Sequence, residues 1–450
     1  MSTPDYNARS PWASLTNIRE VIINPSNEII DGELMIPGSK SFTNRALIIA
    51  ALAEGISTLK GILKSDDSFW CIETLKKLGI EIEIVDEDTV KIEGVNGKWP
   101  INEGEIYIGA AGTIARFLPG ALGINSESDY IIKASKRLSE RPITTLIEAL
   151  NDLGMNIEYL EKNGQFPIQI KPSKFKGGQV YVSGNTSSQF ISGLLICSSY
   201  AKETVTIKIK DFIVQHAYVQ LTIDLLKEFG VDVEVNESFK EFRIHPSNYK
   251  GITLDLEADA STASYFMSLA ALNGGKVRIT NLNLNTQQPD IGILDILEKM
   301  GCSINKTEHY VEVSGPKQLK GGFVFDMKEL SDQALTIAAL APFADDKITI
   351  NNVEHIRTHE SDRIKVMTEA LLKLGAKVKE HRDGWELWPS KLNGTTLLTH
   401  DDHRVAMSLA LIGTKIGNMK LIDPGCVSKT CPQFFNMLEK FNIDVNYVSE

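Results

Sequence analysis

The chain has 450 residues, 42% of them hydrophobic and 23% charged, which is ordinary for a globular protein of two or three domains. Its formal net charge of −11 argues against a broad nucleic-acid surface, although a local cationic cleft could still bind a small anion. The apolar runs are too short to span a bilayer, and the first twenty residues lack a signal-peptide core. The five scattered cysteines fit a reducing cytoplasm better than a disulfide framework. We therefore expect a cytoplasmic protein without membrane or nucleic-acid partners.

Six segments of the same type follow one another along the chain. Each has a short β-like run that ends in small polar residues, then an apolar helix-like run and a second β-like run. The segments begin 70 to 74 residues apart, at Gly32, Gly104, Gly177, Gly251, Gly321 and Gly394. A second helix-like stretch in each segment ends in Gly, or in Asn442 in the last, as a helix C-terminus with a left-handed residue requires. A period this regular predicts six repeats of strand, helix, strand, helix and strand, and leaves a further strand open.

The six repeats group most simply as three plus three, with a division near residue 250. The predicted domains are residues 38–250, and residues 1–37 together with 251–450. The strand in the sequence GELMI could belong to either domain. An open solenoid is the alternative, but solenoid repeats usually run only about 20–50 residues.

The strand-to-helix turns carry the unusual polar residues. The first, residues 37–45, reads PGSKSFTNR. Small residues let a backbone approach a ligand closely, and the free N–H groups of a helix start favour an anion. Helix capping explains Ser41 and Thr43, but not Lys40 and Arg45, which place two cations where the helix dipole disfavours them. This turn therefore indicates an anion-binding site.

The next two turns add weaker signals. GAAGT at 109–113 could cradle an anion, and a basic cluster with Arg137 and Arg141 follows it, for which surface ion pairs are the alternative. The third turn places three neutral hydrogen-bonding side chains at a helix start: Ser187, Ser188 and Gln189. N-capping requires only one of them. The fourth turn, with Asp259, indicates capping alone.

The fifth and sixth repeats supply most of the acid–base candidates. Asp332 lies in the fifth turn, and residues 359–363 hold four ionisable groups, among them Glu360 and Arg363. A surface salt bridge is the alternative, but such clusters are typical of acid–base pairs. The sixth repeat adds Arg404 and Lys429. We expect no metal, because no His, Cys and Asp set has recognisable ligand spacing. If the domains face each other with their helix starts inward, the cleft between them would bind a substrate with several negative charges.

Seven motifs, in order along the chain, resemble those of the 5-enolpyruvylshikimate-3-phosphate (EPSP) synthase family. They are PGSKSFTNRALIIAALAEG, AGT..R, RLSERPI, SSQFISGLL, HESDRI, DHRVAMSLAL and DPGCVSKTCPQFF, and they extend from about residue 30 to the C-terminus. The resemblance implies an α/β (α+β) fold, a two-lobed inside-out α/β barrel of six βαβαββ repeats with three per lobe. It also implies a cofactor-independent monomer that transfers the enolpyruvyl group of phosphoenolpyruvate to the 5-hydroxyl of shikimate 3-phosphate and releases phosphate.

The resemblance assigns roles residue by residue. The phosphoenolpyruvate-binding residues would be Lys40, Gly112, Arg137, Gln189, Arg363, Arg404 and Lys429. The shikimate 3-phosphate-binding residues would be Lys40, Ser41, Arg45, Ser187, Ser188, Gln189, Gln215, Asp332, His355 and His359. Asp332 would be the base on the 5-hydroxyl, and Glu360 and Lys40 would assist proton transfer at the phosphoenolpyruvate carbon and leaving group.

Five positions depart from the family's usual residues. Ala110 replaces Asn and Phe117 replaces Pro near the phosphoenolpyruvate turn, so the response to the family's inhibitor glyphosate is open. Gln215, His355 and His359 replace Ser, Asn and Lys around the expected 3-phosphate. A histidine in place of lysine titrates near pH 6–7, so we expect weaker binding of the phosphorylated substrate above about pH 7.

Three other functions are weighed. A paralogue that acts on a different cyclic alcohol phosphate would explain why the departures surround the 3-phosphate. The sister enzyme that uses UDP-N-acetylglucosamine usually has a cysteine in the second repeat, whereas residues 104–150 contain none. A scaffold or nucleic-acid-processing protein would not need ionisable turns, and the acidic balance opposes nucleic acid.

Overall fold

The computed structural model describes residues 4–449, which form two compact units. The terminal unit contains residues 4–5, 12–37 and 258–449, and the central unit contains residues 6–11 and 38–257. The chain therefore passes from one unit to the other at 5/6, 11/12, 37/38 and 257/258. Within the described residues, no helix is both long and apolar enough to cross a membrane.

Short strands alternate with helices along the chain. The strands are β1 (Ile18–Asn24), β2 (Asp31–Leu34), β3 (Glu54–Lys60), β4 (Ile82–Ile84), β5 (Thr89–Val95), β6 (Glu103–Tyr107), β7 (Asp129–Lys133), β8 (Asn156–Tyr159), β9 (Ile168–Lys171), β10 (Gly178–Gly184), β11 (Val205–Ile213), β12 (Glu234–Val235), β13 (Glu241–Ile244), β14 (Thr253–Asp255), β15 (Lys276–Ile279), β16 (Ser303–Lys306), β17 (Val311–Ser314), β18 (Phe323–Asp326), β19 (Ile348–Asn351), β20 (Lys377–His381), β21 (Gly384–Trp388), β22 (Thr396–Leu398), β23 (Met419–Ile422) and β24 (Asp444–Ser449).

The α-helices are α1 (Lys40–Leu52), α2 (Asp66–Lys77), α3 (Gly112–Gly123), α4 (Lys136–Glu140), α5 (Thr144–Asp152), α6 (Ser188–Ser198), α7 (Ala217–Glu228), α8 (Ala260–Asn273), α9 (Ile293–Lys299), α10 (Ala334–Leu340), α11 (Arg363–Leu374), α12 (His403–Ile416) and α13 (Phe434–Glu439). The 3₁₀ helices are Tyr6–Ala8, Pro289–Gly292, Ser331–Gln333, Ala341–Phe343, Glu354–Thr358 and Pro424–Lys429.

Each unit contains three four-stranded sheets among the described residues. In the central unit the strand orders are β14-β3-β5-β4, β6-β7-β9-β8 and β10-β11-β13-β12. In the terminal unit they are β16-β17-β15-β2, β18-β19-β21-β20 and β22-β23-β1-β24. The first pair of the second repeat, β6 and β7, is parallel, and β9 pairs antiparallel with both β7 and β8. This is the strand pairing of a βαβαββ unit, and none of the six sheets closes into a barrel.

Three strands pair with strands of a repeat that lies elsewhere along the chain. β2, the GELMI strand, pairs parallel with β15, so that Leu34 lies opposite Ile279 in the terminal unit. β14 pairs parallel with β3 in the central unit, with Leu254 opposite Leu59. The chain therefore leaves the central unit after residue 257, and not near 250. β1 fills the third position of the last sheet, between β23 and β24.

The helices form the interior of each unit. All twelve residues of α3 and the first thirteen of α8 are buried, so these helices are enclosed by other elements on every side. Small residues allow α3 and α6 to approach closely: a Cβ at Gly193 would lie 2.2 Å from the carbonyl oxygen of Arg116. Because the helix bodies are buried, their polar first turns are the parts of the interior that can reach a ligand.

Candidate active site

Arg363 is the centre of a buried charge cluster in the terminal unit. It is the first residue of α11 and is 1% exposed. Its Nε and Nη2 donate to Asp402 at 2.8 and 3.1 Å, and Nη2 also donates to Glu360 Oε2 at 2.8 Å. Its Nη1 donates to Asp332 Oδ1 at 3.2 Å and to His359 Nδ1 at 3.1 Å. One guanidinium thus holds residues from the starts of three helices.

Asp402 is the fully buried anchor of this cluster. As the N-cap of α12, it accepts a hydrogen bond from the backbone N–H of Arg404 at 3.0 Å. The Ser361 hydroxyl donates to its other oxygen at 2.9 Å. Burial alone would lower the pKa of Arg363, but Asp402 and then Glu360 outweigh it and hold that pKa above its ordinary value. Arg363 is therefore permanently charged.

Two further cations lie beside the predicted acid–base residues. Lys429 Nζ is 3.1 Å from Glu360 Oε1, and Arg404 Nε is 3.2 Å from Asp332 Oδ1. Lys429 and Arg404 are 7% and 6% exposed, so these pairs are shielded from water. The structure therefore brings together all five charged residues that the sequence predicts for this half of the chain.

The two predicted histidines lie on the same loop. His355 Nε2 is 2.8 Å from the Ser331 hydroxyl, and the ring centroids of His355 and His359 are 5.8 Å apart. Burial lowers the pKa of His355 to about 4, although the neighbouring Asp332 opposes that shift. His355 is therefore neutral at physiological pH, and the predicted loss of substrate binding above pH 7 rests on His359 alone.

In the central unit, Lys40 and Arg45 lie on the first helix, as the sequence predicts. Lys40 Nζ is 4.0 Å from Asp67 Oδ2, and the Asp67 side chain is 2% exposed. Arg45 is buried and donates to the Thr222 hydroxyl at 2.8 Å and to the Ser41 carbonyl at 3.1 Å. Burial lowers the pKa of Arg45 to about 10, which leaves it charged at neutral pH.

Phe117, one of the departures from the family pattern, contacts Arg45. The ring is fully buried on α3, and the Arg45 guanidinium lies 5.0 Å from its centroid. A cation over an aromatic face is stabilised by the ring quadrupole. This substitution therefore acts on the side chain predicted to bind the shikimate carboxylate.

The Gly112 turn is enclosed by two arginines. Arg116 Nη1 donates to the Gly112 carbonyl at 3.1 Å, and a Cβ at Gly112 would lie 2.7 Å from Arg141 Nη1. Arg141 is 9% exposed, so it is largely buried. Arg137, predicted as the ligand-binding arginine, has a side chain that is 42% exposed and lies 3.8 Å from Glu140.

The remaining predicted residues lie at two further helix starts in the central unit. The Ser187 hydroxyl caps α6 by accepting from the Gln189 N–H at 3.2 Å, and Ser188 is buried. Gln215 is 9% exposed and has a φ of +49°, just before α7. A left-handed non-glycine residue at such a turn is uncommon.

The sequence reasoning missed three charged residues around the site. Asp402 lies in the motif DHRVAMSLAL without a predicted role, Asp67 has no motif around it, and Arg357 has no predicted role in its loop. Arg357 lies on the loop that carries Glu360. It donates to both oxygens of Asp362 at 3.0 Å and to Glu380, on β20, at 2.7 Å. Only the folded chain brings these partners together. Across residues 4–449, no group of three or more His, Cys, Asp and Glu side chains could hold a metal ion.

Comparison with known proteins identifies the family. The family model for EPSP synthase (3-phosphoshikimate 1-carboxyvinyltransferase) matches residues 25–438. The chain belongs to the EPSP synthase family. The 3-phosphoshikimate 1-carboxyvinyltransferase 2 of Halalkalibacterium halodurans is 51% identical over 449 residues, which is 99% of this chain and 100% of that protein. The 3-phosphoshikimate 1-carboxyvinyltransferase of Trichormus variabilis is 38% identical over 93% of this chain and 98% of its own length.

Solved EPSP synthase structures have the same fold. The EPSP synthase from Acinetobacter baumannii matches with a TM-score of 0.80 at 24% identity, over 95% of this chain and 100% of that one. A second structure of the enzyme from that organism also gives 0.80, at 22% identity. The predicted α/β fold of six repeats and the predicted family are both confirmed.

Proposed function

We propose that this protein transfers the enolpyruvyl group of phosphoenolpyruvate to the 5-hydroxyl of shikimate 3-phosphate, as a 3-phosphoshikimate 1-carboxyvinyltransferase. The 5-oxygen loses its proton and bonds to C2 of phosphoenolpyruvate while C3 gains a proton. The tetrahedral intermediate then loses the C3 proton, its bond from C2 to the phosphate oxygen breaks, and inorganic phosphate leaves.

The observation that carries this proposal is the charge cluster of the terminal unit. Arg363, Arg404 and Lys429 supply three shielded cations, which suit a ligand with a carboxylate and a phosphate. Asp332 and Glu360 lie against these cations, where they are 16% and 12% exposed and therefore protected from bulk water. Fixed charges in such a shielded place stabilise charge that moves during a reaction.

The central unit supplies the other proposed ligand contacts. Its phosphoenolpyruvate-binding residues are Lys40, Gly112, Arg137 and Gln189. Its shikimate 3-phosphate-binding residues are Lys40, Ser41, Arg45, Ser187, Ser188, Gln189 and Gln215. Asp332, His355 and His359, in the terminal unit, complete the set for that substrate.

Two carboxylates and one lysine carry the proton transfers in this proposal. Asp332 takes the proton from the 5-hydroxyl, which requires that it leave Arg363 and Arg404 or share those contacts with substrate. Glu360 and Lys40 move the proton to and from C3 and assist the departing phosphate. Positioned acid–base groups of this kind typically contribute about 10²–10⁴-fold to a rate.

The test is phosphate release from phosphoenolpyruvate, measured with purified protein. We expect release in the presence of shikimate 3-phosphate and none with UDP-N-acetylglucosamine. Mass spectrometry of the product should show shikimate 3-phosphate with an added enolpyruvyl group. Absence of release with shikimate 3-phosphate would refute the proposed substrate.

A second candidate function is transfer to a different cyclic alcohol phosphate. It is favoured by the three residues that depart from the family pattern around the expected 3-phosphate: Gln215, His355 and His359. The same assay with a panel of phosphorylated cyclic alcohols separates the two, because the better acceptor has the higher kcat/KM.

The five cysteines are buried and unpaired as disulfides within the described residues, which is compatible with work in a reducing compartment. We therefore propose the cytoplasm as its location. We also propose that the protein works as a monomer, as the family resemblance implies, which size-exclusion chromatography would test.

A further inference from the structure

The segment Tyr6–Pro11 is part of the central unit although it lies outside the family match. The family model begins at residue 25, whereas the Halalkalibacterium halodurans relative matches 99% of this chain. Ala8 and Ser10 are 4% and 3% exposed, so the segment is packed against the unit. The burial of these two residues indicates specific contacts between the segment and the unit.

Two hydrogen bonds join the segment to helix α2. Trp70 Nε1 donates to the Ala8 carbonyl at 2.7 Å, and the Ser10 N–H donates to Asp66 Oδ1 at 2.8 Å. Asp66 and Trp70 lie in the first two turns of α2, so both bonds hold the same end of that helix.

The indole of Trp70 in turn packs against the turn that precedes α3. A Cβ at Gly109 would lie 2.3 Å from Trp70 Nε1, and Gly109 has a φ of +57°. Only glycine permits both that backbone conformation and that approach. The Gly109 carbonyl accepts from the Ser135 N–H at 2.8 Å, and Ser135 caps α4, the helix of Arg137. The position of Trp70 is thus transmitted to the proposed phosphoenolpyruvate turn and to Arg137.

The other hydrogen bond, from Ser10 to Asp66, holds the helix start that carries the partner of Lys40. Asp66 is followed by Asp67, which is the carboxylate 4.0 Å from Lys40 Nζ. A capping box between Ser65 and Ser68 fixes this first turn of α2. A shift of the start of α2 would therefore move the partner of Lys40.

We propose that residues 6–11 position the phosphoenolpyruvate-binding groups of the central unit. Through Trp70 the segment supports the Gly109 turn, and through Asp66 it supports the carboxylate that holds Lys40. The inference rests on the proposed function, since it concerns the affinity of that same site for phosphoenolpyruvate. The segment itself is a positioning element and touches no reacting atom.

The test compares three variants with the full chain. The first begins at Trp12 and lacks residues 1–11, the second is Trp70→Phe, and the third is Trp99→Phe. Trp99 is the matched control, because its Nε1 donates to the Ala121 carbonyl at 3.0 Å within the same unit, away from the segment. Steady-state phosphate release gives KM for each substrate and kcat, and thermal unfolding reports stability.

We expect the truncated chain to have a KM for phosphoenolpyruvate about 5- to 30-fold higher, as loss of one or two hydrogen bonds implies. KM for shikimate 3-phosphate should rise less than that, because Lys40 is the only one of its proposed contacts that the segment supports. Trp70→Phe retains an aromatic side chain but loses the indole N–H donor. It should also raise KM for phosphoenolpyruvate, whereas Trp99→Phe should not. A synthetic peptide of residues 1–11, added in excess, should restore the KM of the truncated chain.

Two results would overturn the proposal. One is an unchanged KM for phosphoenolpyruvate in both the truncated chain and Trp70→Phe. The other is an equal rise in KM for both substrates in Trp70→Phe and Trp99→Phe, which would indicate a general loss of stability. If the truncated chain does not fold, Trp70→Phe decides alone. Failure of the proposed function is distinct, because the full chain would then release no phosphate.

Discussion

Replacement of Asp402 by asparagine tests the central claim about the terminal unit, that one buried carboxylate holds two site arginines. The change preserves shape and removes one negative charge at a fully buried position. Asp402 accepts four hydrogen bonds, from Ser361, from the backbone of Arg404 and, with two of them, from Arg363. Each Asp402 oxygen accepts two of these bonds, so an asparagine Nδ2 would place a donor against two of the donors, and at least one bond is lost.

The expected cost follows from the burial of the pair. Removal of one partner from a buried ion pair costs about 3–5 kcal/mol, because the other charge remains buried. Arg363 retains Glu360 at 2.8 Å and Asp332 at 3.2 Å, so we expect the lower end of that range, about 3 kcal/mol. Since Arg363 is proposed to bind phosphoenolpyruvate, KM for that substrate should also rise by at least tenfold.

Urea unfolding and steady-state phosphate release measure the two effects. Asp31→Asn is the matched control, because Asp31 pairs with Arg278 at 3.2 Å on the surface of the same unit, where such a pair is worth at most about 1 kcal/mol. Equal unfolding free energies for the two variants would refute the reasoning. The expected loss of about 3 kcal/mol in Asp402→Asn together with an unaltered KM would also refute it, because phosphoenolpyruvate binding by the arginines would then not depend on this carboxylate.

Three further predictions concern the loop of residues 354–362. Glu360→Gln should lower kcat about 10²–10⁴-fold and should cost less unfolding free energy than Asp402→Asn, because Glu360 is partly exposed and Arg363 retains Asp402; retained turnover would remove this carboxylate from the mechanism. His355 has a pKa of about 4 in the folded chain, below its unfolded value of about 6.5, so the folded state binds fewer protons and stability is lost as pH falls from 6.5 towards 4. His355→Asn should therefore lose less unfolding free energy between pH 7 and pH 5 than the natural chain, and an equal loss would contradict this assignment. Arg357→Ala should lower kcat through misplacement of Glu360, with partial recovery in added guanidinium, whereas a purely structural role would show no recovery.

The regular spacing of the repeats predicted most of the fold because each repeat needs particular residues for local backbone geometry. A glycine near the start of the first strand and a left-handed residue after the second helix-like stretch are found in every repeat, so they recur along the chain. Pairing between distant strands leaves no such local record. β14 follows the third repeat along the chain and pairs with β3, almost two hundred residues earlier, and β1 completes the sheet of the last repeat. The boundary near 250 and the grouping of residues 1–37 as one piece therefore differ from the observed units.

The same distinction applies to the site. Lys40 and Arg363 were predicted because cations are unusual at helix starts, and Glu360 because it lies among four ionisable groups in a short stretch of sequence. Asp67 was not predicted, because an acidic residue in the first turn of a helix is ordinary and its importance comes only from Lys40, 27 positions earlier. The low pKa of His355 could not be predicted either, since it depends on burial and not on sequence neighbours.

The structure also explains how cations are tolerated at helix starts, where the dipole disfavours them. Arg363 is the first residue of α11 and Arg404 the second residue of α12, and Lys429 lies near them. Against these three positive charges the cluster sets three carboxylates, Asp332, Glu360 and Asp402. Asp402 is fully buried, but Asp332 and Glu360 remain partly accessible, so an anionic substrate can replace them as partners of the cations. Under the proposed function, substrate binding would then release the two carboxylates that the reaction needs as acid and base, and the same ion pairs that stabilise the unliganded cluster would prepare it for catalysis.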